Sequence, residues 1–269
     1  MAGSLDYKKM IEWMVSLDYE QLKRRDKTNS FNYVSIEHET IQLAIERMLP
    51  GFSNLRVEKE KNEPLDLKVD IQEEKSFRTC RIDSQLSDGQ KIVLVLVLNL
   101  VSRILEANSG YPNVTANKLL ETSGIVLIDE VELHLHPSWQ QRIVLDLQRT
   151  FPNIQFIVTT HSPQVVSSVP GECVRIIKNG KLFPFGIQTE GAKAEQVLNE
   201  IFGTDSRAPK SDVTKAFNEY YSLIQTNQWD SQRGMELKRF LSEKLSSDPD
   251  FMALATEIHI REYQRRNDK

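Results

Sequence analysis

The sequence predicts an α/β fold: a parallel sheet with helices on its faces, an antiparallel β patch before it and a helical C-terminal cap after it. Three observations carry this. A short continuous apolar run, 124–128, and a second strand-like stretch, 154–158, flank a helical segment. Strand, helix, strand in that order asks for parallel strands joined by a crossover. Leu65, Leu67, Val69 and Ile71 alternate with polar residues, the period of a strand with one apolar face. Beyond Ala192 the pattern is helical throughout. The 269 residues allow one large or two small domains. The expected organisation is an N-terminal helical segment over 1–50, a sheet-bearing domain over 51–190 and the helical cap over 191–269.

In chain order, Met10, Ile11, Met14, Val15 and Leu17 recur at helical spacing, as do Ile41, Ala44, Ile45 and Met48. Pro50-Gly51 ends the second helix. The basic run Lys23 to Lys27 reads as a solvated helix end. Residues 55–82 hold two or three antiparallel strands. A long apolar helix runs from about Gln90 to Asn108, followed by a loop over 109–113. The run 124–128 has the mark of a strand buried on both faces, and 154–158 is a second one. Between them, Pro137 to Thr150 reads as one helix, with Pro137 in its first turn. A short helix starts at Pro163, and a strand covers 173–177. Asn179-Gly180 is a hairpin signal, with 182–187 as the returning strand. Helices are expected at about 193–202, 211–227, 231–246 and 250–266.

Composition excludes several classes of function. Lys plus Arg number 34 against 38 Asp plus Glu, a net charge of −4, so no globally basic surface for nucleic acid exists. The two cysteines, Cys80 and Cys173, are far apart and lack metal spacing, which fits a reducing, cytoplasmic compartment. The apolar run 92–98 stops at Asn99, far short of the ~18 residues of a membrane span, and Met1 to Ser4 form no apolar leader core.

Three segments carry chemistry. Ile125-Val126-Leu127-Ile128 ends in two carboxylates, Asp129 and Glu130. Ligands of parallel α/β sheets sit beyond the carboxyl ends of the strands. An aspartate there suits Mg²⁺, directly or through water, and the adjoining glutamate can polarise a water for attack on phosphate. Thr159-Thr160-His161-Ser162-Pro163 follows the next strand and brings His161 to the same edge, where an imidazole can donate to a terminal phosphate oxygen. Leu86-Ser87-Asp88-Gly89-Gln90 opens the long helix, with Ser87 as its cap and free amides that favour an anion.

Together these segments resemble the ATP-binding-cassette ATPases. Leu86 to Gln90 resembles the signature motif, Ile125 to Glu130 the Walker B strand with its catalytic glutamate, and His161 the switch histidine. His134-Leu135-His136-Pro137 falls at the D-loop, and His161 follows Asp129 by 32 residues, in the family's order. The wording from Glu130 to Pro137 is similar to the RecF/OLD-like branch, which includes the PtuA ATPases of Septu and retron anti-phage systems. Residues 192–203 also resemble PtuA-like chains. The resemblance implies half of an ABC-type nucleotide-binding domain that binds and hydrolyses ATP with Mg²⁺. Asp129 would handle the metal, Glu130 would be the general base, and His161 would contact the γ-phosphate. Leu86, Ser87, Asp88, Gly89, Gln90 and His136 would contact nucleotide across a homodimer closed as a nucleotide sandwich. The implied output is gating of an effector nuclease or toxin in phage defence or DNA repair, with nucleic acid left open as a ligand.

The family's P-loop, G-x-x-x-x-G-K-[ST], is absent. Gly180-Lys181 lacks the first glycine, and Gly191-Ala192-Lys193 has the wrong spacing. The chain thus resembles the C-terminal half of such an ATPase without its P-loop lobe, and hydrolysis is expected only where that lobe is supplied. A non-catalytic interaction module derived from such an ATPase is the alternative. Glu132, His134 and His136 alternate like zinc ligands, but the D-loop accounts for them without a metal. Arg261, Arg265, Arg266 and Lys269 are read as a solvated helix end, diluted by Glu257, Glu262 and Asp268.

Overall fold

Ser35 accepts from the His38 amide and starts a helix whose apolar stripe meets the rest of the chain. A computed structural model describes residues 7–30, 32–59, 64–74, 76–110, 114–184 and 188–267. Residues 1–4, 111–113 and 185–187, the side chains of Arg265 and Arg266, and Lys269 lie outside the described residues. The contacts divide the chain into two units, one through Val197 and one from Leu198.

The first unit opens with helices α1 (Tyr7–Thr28) and α2 (Ile36–Met48). α1 buries Met10 and Met14, while Val15 turns outward with Tyr19 and Leu22. Its basic end is largely a solvated one: Lys23 pairs with Glu20, while Arg24 pairs with Glu37 and Arg25 donates to the Tyr33 carbonyl. After Gly51, whose φ of +89° a side chain would strain, come β1 (Phe52–Lys59), β2 (Leu65–Gln72) and β3 (Phe77–Arg81). They form an antiparallel sheet in the order β1-β2-β3, with Val57 opposite Leu67 and Val69 opposite Cys80. Leu67 and Val69 are fully buried, but Leu65 at the strand end is exposed.

The reverse face of β2 is also covered, with Asp66 and Lys68 each only 6% exposed. Asp66 accepts from Tyr7 Oη at 2.6 Å, Arg81 Nε at 2.8 Å and the Leu67 amide at 2.9 Å. Burial by itself raises an aspartate's pKa. Here the Tyr7, Arg81 and Leu67 hydrogen bonds outweigh burial and hold Asp66 below its ordinary value. Burial and the bond to Asp66 push the Tyr7 phenol up.

A short helix α3 (Ile82–Gln85) leads into α4 (Asp88–Ala107), the apolar centre of the unit. Val93, Leu94, Val97, Leu98, Val101 and Ile104 of α4 are buried against α2, α5 (Ala116–Leu120) and their neighbours. Then β4 (Gly124–Ile128) pairs in parallel with β5 (Ile154–Val158), Gly124 opposite Ile154 and Ile128 opposite Val158. The α/β class is as read, with a parallel pair, an antiparallel patch and helices.

Two expectations need correction here. The strands are not buried on both faces. Val126, Ile128, Phe156 and Val158 pack against the core, but Ile125, Leu127 and Ile157 are 64%, 76% and 50% exposed. A continuous apolar run records a need for two covering layers; the described residues supply one. The expected helix over 137–150 is also two, α6 (Pro137–Gln140) and α7 (Ile143–Thr150). Arg142 breaks it, reaching the Met48 carbonyl at the end of α2 while pairing with Asp146.

α8 (Pro163–Val166) follows β5. The hairpin β6 (Arg175–Lys178) and β7 (Lys181–Pro184) forms as expected, with Asn179 and Gly180 at φ +52° and +71°, the left-handed pair of a two-residue turn. Its first strand starts at Arg175, after a short 3-10 turn over Gly171–Cys173. α9 (Ala194–Val197) closes the unit.

The second unit has a π-helical turn at Leu198–Phe202 and helices α10 (Asp212–Gln225), α11 (Gln232–Lys244) and α12 (Pro249–Asn267). They enclose Tyr220, Ile224, Trp229, Leu237, Leu241, Leu254 and Ile258. Arg207 ties the entry segment down, bonding Asp248 at 2.8 Å and Asp250 at 2.6 Å with its guanidinium over the Phe217 ring. No helix among the described residues is long and apolar enough to cross a membrane.

Candidate functional site at the carboxyl edge of the parallel strands

β4 and β5 run in the same direction, so the loops after Ile128 and Val158 emerge side by side. This places Asp129, Glu130 and His161 at one exposed edge. Thr159 knits the edge together. Its hydroxyl donates to Asp129 Oδ1 and accepts from the Glu130 amide at 2.9 Å, while its carbonyl accepts from the Val131 amide at 3.1 Å. Glu130 is thereby held at φ +49°, a left-handed conformation that few residues with a side chain adopt. Glu132 reaches the other way, its Oε1 accepting from the His161 amide at 2.5 Å. Its second oxygen, Oε2, is buried without a hydrogen-bond partner.

The segment expected to act from a second protomer lies against the chain's own 134–135 backbone. Ser87 caps α4 in a reciprocal box: its Oγ accepts from the Gln90 amide at 3.3 Å, and Gln90 Oε1 accepts from the Ser87 amide at 3.0 Å. The hydroxyl therefore keeps its own proton to donate, so an acceptor such as a phosphate oxygen suits it. Leu86 is buried, and Asp88 is exposed with Lys91 3.6 Å away. Gly89 approaches closely: a Cβ there would sit 3.1 Å from the His134 carbonyl oxygen and 3.6 Å from Leu135 Cδ2. Gln140 Nε2 donates to the Leu135 carbonyl, and Ser162 Oγ donates to Gln140 Oε1 at 2.7 Å. Polar contacts thus run from the 134–135 backbone to the residue after His161.

The alternating Glu132, His134 and His136 do not converge. His134 is exposed at φ +62°, and His136 turns its Nδ1 to Ser138, capping α6. No group of three or more His, Cys, Asp or Glu among the described residues is placed to hold a metal. Asp129 fits Mg²⁺ in its donor chemistry. It is an exposed hard-oxygen ligand with Oδ1 oriented by Thr159, and Mg²⁺ takes one or two carboxylates beside water and phosphate. A cavity lined by Gln21, His38, Glu39, Gln42 and Asn54 shares no residue with this edge.

Sequence reasoning quoted Thr159 without giving it a role, and it read Glu132 as part of the D-loop. The signal was in the parallel register. Ile128 pairs with Val158, a constant offset of 30 that brings residues 129–132 beside 159–162.

Residues 14–167, more than half of the chain, match the family described as "AAA domain, putative AbiEii toxin, Type IV TA system", and the chain belongs to that family. Among curated relatives, "Retron Ec83 probable ATPase" of Escherichia coli is 38% identical over 241 residues, covering 88% of this chain and 42% of that protein. "Septu protein PtuA" of Bacillus mycoides (strain KBAB4) is 32% identical over 167 residues, 60% of this chain and 22% of that protein. The chain thus spans less than half the length of these relatives. The PtuA-like resemblance read from Glu130–Pro137 and 192–203 is met by relatives that carry this name. A solved chain described under ATP-driven dimerization and DNA-stimulated activation of SMC ATPases is 17% identical, with a TM-score of 0.42, covering 64% of this chain and 94% of its own.

Proposed function

We propose that the chain is the water-activating part of a composite ABC-type ATPase of the RecF/OLD/PtuA-like branch, which gates an effector in phage defence. One observation carries the reading: Asp129 and Glu130 leave the carboxyl end of β4 locked to Thr159, with His161 two residues farther along the same neighbouring loop. Glu130 takes the proton of the attacking water. His161 donates to the terminal phosphate oxygen. Asp129 is the residue that would hold Mg²⁺, which would supply positive charge beside the phosphates. Ser87 and the free amides of α4 serve a nucleotide held by a second copy, for which the Ser87 proton is suitably placed. The uncovered face of β4 and β5 suits the phosphate-binding lobe that the sequence lacks. The retron and Septu relatives support a defence role; a nuclease or toxin as the gated partner follows from the ABC-type resemblance alone. The uncovered face also favours a second reading, a non-catalytic interaction module on the same fold.

The experiment is ATP turnover with light scattering on the ATPase with a P-loop lobe supplied in cis or by a partner chain. Glu130→Gln keeps shape and loses the base, so turnover should fall ~10²–10⁴-fold while ATP-held dimers persist. Ser87→Arg should abolish both ATP-dependent assembly and turnover. Wild-type turnover in Glu130→Gln would remove the catalytic assignment of Glu130, whereas no turnover in the unvaried protein would leave the interaction module. Unchanged assembly in Ser87→Arg would reduce 86–90 to a helix cap.

A further inference from the structure

The two loops at the carboxyl edge hold each other by exchange. The loop after β5 gives a side chain, Thr159, to the Glu130 amide at 2.9 Å. The loop after β4 gives a side chain, Glu132, to the His161 amide at 2.5 Å. We propose that Thr159 and Glu132 form a reciprocal clamp that fixes the water-activating Glu130 relative to the phosphate-contacting His161, both acting as positioning residues. The proposal rests on the ATPase reading for its catalytic consequence, but the clamp itself is a matter of two backbone amides.

Each half of the clamp acts where free backbone would otherwise choose differently. Glu130 sits at φ +49°, and the Thr159 hydroxyl and carbonyl hold the amides of Glu130 and Val131 on either side of that residue's Cα. The same hydroxyl donates to Asp129, so one side chain sets the direction of both acids. Glu132 uses a carboxylate, the stronger kind of acceptor, on a single amide. Its Oε2 remains buried and unpartnered, a cost that a merely space-filling residue at this position would avoid. His161 is itself exposed, and the polar tie that this loop makes at residue 161 is the backbone bond to Glu132. Movement of either loop therefore carries the other: Glu130 cannot turn away without releasing Thr159, nor His161 without releasing Glu132.

The test pairs a disruptive with a conservative variant at each position. Glu132→Ala and Thr159→Val remove an acceptor; Glu132→Gln and Thr159→Ser retain one. Amide hydrogen exchange, followed residue by residue on the full chain without nucleotide, should show His161 exchanging about tenfold faster in Glu132→Ala, and Glu130 about tenfold faster in Thr159→Val. The conservative variants should stay near wild type. In full-length protein, the disruptive variants should lower kcat about tenfold to a hundredfold, with KM for ATP within about twofold and kcat restored in Gln and Ser. Unchanged exchange at His161 and Glu130 in the disruptive variants overturns the clamp. Equal loss of kcat in conservative and disruptive variants overturns its positioning role. If unvaried protein turns over no ATP while the exchange pattern holds, the clamp stands and the ATPase reading falls.

Discussion

Asp66 shows how much one residue can fix. It sits almost fully buried on β2 and joins α1 to the end of β3 through Tyr7 and Arg81. Its pKa in the folded chain lies below the unfolded value near 3.9. Its contribution is therefore complete above that unfolded value and is lost as pH falls through the lower folded one. Asp66→Ala, which removes the acceptor shared by Tyr7 and Arg81, should cost about 1–3 kcal/mol at neutral pH, and the gap between variant and wild type should begin to close below about pH 4. Urea unfolding at pH 7 and pH 3 checks this; a gap that widens in acid would reverse the sign. The sequence shows Asp66 only as the polar half of an alternation. Its burial follows from α1 lying over that face, a relation between residues 59 positions apart.

At the level of elements, α11 makes the sharpest commitment. A Cβ on Gly234 would stand 2.3 Å from the Trp229 carbonyl oxygen and 2.7 Å from its carbon, contacts that backbone cannot yield cheaply. Gly234→Ala should therefore destabilise the second unit by about 1–3 kcal/mol, despite alanine's better helix propensity. Calorimetry would show a lowered transition for that unit; an unchanged or raised one would mean that the Trp229 turn relaxes freely. The legible signals were local: Pro50-Gly51 ends α2, Ser87 caps the apolar stripe of α4, and Asn179-Gly180 marks the β6-β7 turn, although β6 starts two residues later than read. The break between α6 and α7 was not legible. Gln140, Gln141 and Arg142 are ordinary helix formers, and what interrupts them is a carbonyl at Met48. The acids at 129–130 and His161 were legible because a strand end is a local pattern. Their clamp was not, because it needs the register between two strands.

For the molecule as a whole, the face of β4 and β5 left exposed among the described residues is expected to govern association in solution. Full burial of Ile125, Leu127 or Ile157 would contribute about 1.5–3 kcal/mol each, and the two-strand sheet has open edges among the described residues. Such a surface pairs with itself when nothing else covers it. Leu127→Glu should leave stability within about 0.5 kcal/mol, since the side chain is 76% exposed, yet suppress concentration-dependent association of the chain. Static light scattering across a dilution series is the measurement. Identical association in wild type and variant would place the sticky surface elsewhere.

The left-handed backbone at Glu130 has an evolutionary consequence. Glycine or asparagine would occupy that conformation at less cost, and strain of this kind is of order 1–3 kcal/mol. On the proposed role of Glu130 as general base, a glutamate there sacrifices stability for its carboxylate. In any lineage released from activating water, drift at this position should run toward glycine or asparagine, leaving a sturdier loop and a silent edge. On that reading, the identity of residue 130 separates working descendants from retired ones.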